Sequence, residues 1–168
     1  HDVDDADTLY ALRTLARRYL ALQDEITALE ERMLRRATRA NPALMAIKGV
    51  GPAVGAQLLI TAGDNPDRLR TSASFAALCG TAPIPVSSGR TDKHRLSRGG
   101  DRQANAALHH MDKVRMSYDP TTIAYRDARL AKGWTSKEVF RALKRAVARE
   151  VFRALAGHTQ APDYSDLR

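Results

Sequence analysis

An all-α fold is predicted: a long N-terminal coiled-coil helix over residues 1–40, a compact helical domain over 41–157, and a polar, frayed tail over 158–168. Three observations point there. Apolar residues recur at spacings of three and four through the first forty residues. Proline, glycine and capping residues then punctuate the chain at helix-length intervals. No stretch has the apolar–polar alternation of a half-buried strand.

The first helix carries Leu12, Leu15, Tyr19, Leu22, Ile26, Leu29 and Met33 as a seam repeating every seven residues, with charged residues such as Arg17, Glu25 and Glu30 on its other faces. One apolar stripe cannot bury itself. Its partner is either a second helix, giving a homo-oligomer, or the compact domain of the same chain. Asn41-Pro42 closes this helix and opens the next. Short helices are expected over 42–47, 52–62 and 72–79, the third capped by Thr71 or Ser72. Residues 81–100, rich in Pro, Ser, Gly and basic side chains, read as irregular. A helix over 101–118 ends at Asp119-Pro120, and another over 121–131 ends at Gly133. The last is capped by Thr135 or Ser136, with Phe140, Leu143, Val147, Val151 and Leu155 as its apolar face.

Charge narrows the partner. The net charge is +8 with a pI near 10.1. The excess is localised: residues 84–102 carry five basic and two acidic side chains, and residues 121–155 nine basic and three acidic. Localised basic charge is the footprint of a polyanion, usually nucleic acid. The lone Cys79 excludes an internal disulfide, fits a reducing cytoplasm, and lies in the apolar run FAALCG as a small buried hydrophobe. No apolar run reaches membrane-spanning length. Adjacent His109 and His110 diverge by about 100° on a helix, so no metal site is expected from this chain. The chain opens on His1 without a signal-peptide pattern and reads as a piece of a longer protein.

Two segments carry candidate chemistry. In LMAIKGVGPAVGAQLL, residues 44–60 resemble a helix-hairpin-helix: Gly49 and Gly51 make the turn, Pro52 opens the second helix, and Lys48 adds a cation. Turn amides and the positive helix end can hold a phosphate without reading bases. A plain αα-corner would use the same glycines for geometry alone. In TAPIPVSSGRTDKHRLSRGGDR, Ser87 and Ser88 precede a glycine, and Arg90, Lys93, Arg95, Arg98 and Arg102 follow. A serine oxygen attacking a phosphodiester needs cations around the charge that develops on the phosphate. It also needs a base, and none is evident nearby; basic loops more often bind phosphates than cut them.

The residues from Asn41 to about Ala156 resemble the C-terminal transposase domain of insertion-sequence family one hundred and ten, the bridge-RNA-guided serine recombinases. The resemblance rests on ordered blocks: Ile47-Lys48-Gly49-Val50-Gly51-Pro52, Phe75 to Pro83, Ser87-Ser88-Gly89, Arg95 to Leu108, Tyr125 with Arg129 and Gly133, and Lys144 to Leu155. One departure is Lys48, where the family usually has proline. The family also carries a coiled coil before this domain. The resemblance implies a covalent phosphoserine link to DNA at Ser88, with Ser87 in reserve. It further implies an RNase H-like domain elsewhere that binds a divalent metal such as magnesium through four carboxylates, a guide RNA as partner beside DNA, and a bacterial cytoplasmic, nucleoid-associated setting. On this reading the 168 residues alone bind nucleic acid weakly and cut nothing. A non-catalytic helix-hairpin-helix module that docks DNA or RNA is the alternative, and an assembly domain with solvated basic faces is a third.

Overall fold

The computed structural model describes residues 2–63, 69–88, 91–95 and 99–157; for 2–4 and 85–95 the description is of the backbone. The all-α class is borne out, with seven helices among the described residues: α1 Asp2–Ala40, α2 Pro42–Met45, α3 Pro52–Ala62, α4 Ser72–Leu78, α5 Arg102–Tyr118, α6 Pro120–Ala131 and α7 Ser136–Leu155. The expectation of irregular chain over 81–100 is corrected. Strands β1 Ile84–Ser88 and β2 Thr91–Arg95 pair as an antiparallel hairpin. Neither strand carries a row of alternating apolar residues, so the pairing left no periodic trace to read.

Helix α1 is one uninterrupted rod, about 58 Å long at 1.5 Å per residue. Its seam faces solvent from Leu12 to Leu29. Packing onto the rest of the chain is confined to its C-terminal end, where Met33 is half-buried and Ala37 buried.

The ends of the other helices follow local chemistry. Asn41 caps α2 by accepting from the Leu44 amide at 2.8 Å, and its amide donates to the Ala154 carbonyl, tying α2 to the end of α7. Thr71 with Ser74, and Thr135 with Glu138, form reciprocal capping boxes on α4 and α7. Asp119 ends α5 and caps α6 through the Thr122 amide. Gly133, at φ +83°, follows α6, while the Arg129 guanidinium lies over the Tyr125 and Trp134 rings at 5.1 and 4.6 Å.

The core joins α2, α3, α4, α5 and α7 through Leu44, Leu58, Phe75, Leu108, Met111 and Val151. Cys79 belongs to it, and burial pushes its thiol up to about 12, so it is a packed hydrophobe as expected. On α7 the expected face holds for Leu143, Val147 and Val151, whereas Phe140 and Leu155 are only half-buried. Val139, Ala146 and Ala148 complete that face. No helix of the described residues is long and apolar enough to cross a membrane.

Candidate nucleic-acid interface and serine hairpin

Ser88 and Ser87 stand at the end of β1. The register pairs Ser88 with Thr91, Ser87 with Asp92, Val86 with Lys93, Pro85 with His94 and Ile84 with Arg95. Residues opposite one another in an antiparallel pair share a face, and neighbours along a strand alternate. Position 88 therefore falls on the face of positions 91, 93 and 95, and position 87 on that of 92 and 94. Two of the expected cations, Lys93 and Arg95, thus share a hairpin face with Ser88. Arg90 and Arg98 lie outside the described residues.

The hairpin pairs chiefly with itself, and no helix packs substantially against either strand. What fixes it is its base. There the chain leaving α4 crosses the chain entering α5 at van der Waals distance. A Cβ on Gly80, at φ +63°, would stand 2.7 Å from the Gly99 carbonyl oxygen. One on Gly100, at φ +97°, would stand 2.6 Å from the Leu78 oxygen and 2.7 Å from the Gly80 nitrogen. Only glycine supplies both the left-handed backbone and the missing volume. The Asp101 amide donates to the Leu78 carbonyl at 2.6 Å, sealing the crossing. Asp101 also caps α5 through the amides of Gln103 and Ala104 and accepts from the Thr61 hydroxyl, contacts that together lower its pKa.

Asn105 braces the same point from α5. Its Nδ2 donates to the Cys79 carbonyl at 2.8 Å and the Gly80 carbonyl at 3.3 Å, and its Oδ1 accepts from Lys144 Nζ at 2.8 Å. Helix α7 is thereby linked to the root of the hairpin. Arg102, exposed in the first turn of α5, lies beside that root.

The glycine turn sits elsewhere. Gly49, at φ +88°, rests on the α5 backbone at Met111, and the Arg115 Nε donates to the Lys48 carbonyl at 2.8 Å. Lys48 Nζ is 2.7 Å from Asp119 Oδ1. Burial pushes the Asp119 carboxyl up, but hydrogen bonds from Lys48 and Thr122 outweigh it and hold the group at about 2. Gly51 precedes α3 as an extended N-cap with no side-chain bond, and Pro52 takes the first helical position. Ten residues of α5 separate Asp101 at the hairpin base from Met111 at the turn, about 15 Å along the helix. The two halves of the expected site thus meet the domain at different levels of α5.

Three features escaped the sequence reading: the Asn105–Lys144 brace, the Arg115–Glu150 ion pair and the carboxyl of Asp112. The pair is buried, with Arg115 NH1 2.7 Å from Glu150 Oε2. Asp112 is fully buried, and neither of its oxygens has a hydrogen-bond partner among the described residues. The available signal was position: Asp112 and Arg115 fall at helical spacing within the apolar face formed by Leu108 and Met111. His109 stacks on Phe140 with ring centroids 4.8 Å apart. No group of three or more His, Cys, Asp or Glu side chains among the described residues is placed to hold a metal ion.

Burial pushes the Asp112 carboxyl up to about 8, against the smaller pull of Lys144 and Arg115. The folded state then keeps a proton that the unfolded chain releases near pH 4, so this group's contribution is present in full below about pH 4 and lost as the pH rises through about 8. Asp112→Asn is expected to flatten that decline, raising the thermal midpoint at pH 8 by roughly 5–10 °C and leaving it nearly unchanged at pH 4. Calorimetric scans across the range check this. Parallel profiles for the two proteins would assign the titration to another group.

Over residues 41–127 the chain matches the transposase IS116/IS110/IS902 family. The chain belongs to this family. A relative, the insertion element IS110 uncharacterized 43.6 kDa protein of Streptomyces coelicolor, is 34% identical over 141 residues. That alignment covers 83% of this chain and 33% of the relative, so the chain spans about a third of the length of the curated protein it matches. The family match runs from the Asn41 cap through the glycine turn, the hairpin and α5 into α6.

Proposed function

We propose that this transposase-family chain is the DNA-handling C-terminal part of an insertion-sequence recombinase, with Ser88 as the nucleophile and a guide RNA as second nucleic-acid partner. The observation that carries the reading is the hairpin register. It supports a serine beside the turn, on the face that also holds positions 93 and 95, at the end of an arm rooted in a rigid crossing. In the reaction the Ser88 Oγ bonds to phosphorus, the phosphorus–deoxyribose oxygen bond breaks, and the departing oxygen takes a proton. Attack by a DNA hydroxyl on the phosphoserine reverses the exchange, so strand joining needs no outside energy. Arg90, Lys93, Arg95, Arg98 and Arg102 are the proposed cations around the non-bridging oxygens.

The described residues do not fit a divalent metal, so any metal is held by residues beyond them, and the base that activates the serine belongs there too. In the glycine turn, Gly49 and Gly51 bring backbone close to a strand of nucleic acid, with Lys48 as cation. Its engagement with Asp119 supports a structural share in that role. The solvent-facing seam of α1 supports assembly of copies through a coiled coil. The setting that suits these partners is the bacterial cytoplasm, at the nucleoid.

Ser88→Ala in the full-length protein tests the proposal. Nucleic-acid binding should persist while recombination and the protein–DNA adduct on a denaturing gel disappear, with a rate loss of at least roughly a thousandfold. Ser87→Ala should retain activity. Recombination by Ser88→Ala at the parent rate would leave the binding-module alternative standing.

A further inference from the structure

Helix α7 carries six cations and two acids. The acids are occupied at other places: Glu150 is turned inward to Arg115, and Glu138 closes the capping box at the helix start. Lys144 is turned to Asn105. The remaining basic residues sort by type. Arg141, Arg145, Arg149 and Arg153 recur every fourth residue along the edge away from the buried Val139, Leu143, Val147 and Val151. Arg141 is exposed and the other three are half-buried. Burial, followed by the neighbouring Arg149 charge, lowers the pKa of Arg145, the signature of like charges held side by side.

We propose that this arginine edge of α7 docks the phosphate backbone of one strand of duplex DNA, independently of base sequence. The inference rests on the DNA-handling reading above and adds a second contact surface to it. Guanidinium groups suit the task because their planar forks grip phosphate oxygens in pairs. Four residues of helix rise about 6 Å, so the four arginines span about 18 Å, over which one DNA strand offers roughly five phosphates. Duplex is favoured over single strands by what the edge lacks. Bound single strands stack their bases on aromatic rings, but Phe140 is against His109 and Phe152 faces Phe75, both inside the fold.

The test is fluorescence anisotropy of the chain with a short labelled DNA duplex, across a salt series. Arg141→Gln and Arg145→Gln should each weaken binding by roughly three- to tenfold and reduce the log–log salt slope by about one. Arg17→Gln on α1 and Ser88→Ala should do neither. Circular dichroism melts establish that the variants are folded, and Arg141→Gln is the variant least able to disturb the core. Duplex binding by the parent that both arginine variants retain would overturn this inference alone. Absence of duplex binding by the parent would overturn it together with the reading it rests on. An equal or larger loss for duplex RNA or single-stranded DNA would overturn the assignment to duplex DNA.

Discussion

Gly100→Ala is expected to destabilise the protein by about 2–5 kcal/mol, combining the left-handed backbone cost with forced overpacking. The added methyl would lie 2.6, 2.7 and 2.9 Å from three backbone atoms of the α4 exit, none of them the end of a flexible side chain. Relief requires the two crossing limbs to part, which breaks the Asp101–Leu78 hydrogen bond and loosens the Asn105 contacts to Cys79 and Gly80. Urea denaturation measures the loss. The control is Gly133→Ala, where no atom lies within 4 Å of the new methyl. There only the backbone term of about 1–2 kcal/mol applies. If the two variants melt together, the crossing is not the tight joint described.

The second large effect is on the buried ion pair. Glu150→Gln is expected to cost about 3–5 kcal/mol, because it strands the Arg115 charge in the core between α5 and α7. Small domains hold only about 5–15 kcal/mol in all, so this one change removes a large share. Replacing both partners, as Arg115→Met with Glu150→Leu, should recover much of the loss, since the price of the pair is its desolvation. The recovery stays incomplete because Arg115 Nε also holds the Lys48 carbonyl and so fixes the glycine turn. A double variant no more stable than Glu150→Gln would show that the turn, not the charge, dominates. A loss under about 1 kcal/mol for Glu150→Gln would show the pair to be well hydrated.

Helix ends were legible because they are written in local chemistry. Thr135 with Glu138, Asp119 before Pro120, and Asn41 before Pro42 each satisfy helix-end groups from within a few residues. The helical periodicity of α7 gave most of its buried face for the same reason. The hairpin was not legible, since Ile84–Ser88 and Thr91–Arg95 pair through backbone groups that leave no side-chain pattern. The glycine pair at 99–100 was readable as a turn. Its purpose, letting two limbs touch, depends on Gly80, some twenty residues away. Likewise Asn105 and Lys144 lie 39 residues apart, and Arg115 and Glu150 lie 35 apart. Partnerships of that span arise from packing. Of the candidate site, the residue types were readable in advance; that the glycine turn and the hairpin root sit at separate levels of α5 was not.

The crossing at Gly80 and Gly100 has a mechanical corollary. From Ile84 to Ser88 the first strand advances about 14 Å, and this outrigger is anchored only at its inner end. On the proposed reading, a strand being cut would be met out beyond the body of this domain, where none of its helices can enclose the reacting atoms. The remaining walls of such a reaction chamber would have to arrive on another part of the assembly, so chemistry would wait on docking.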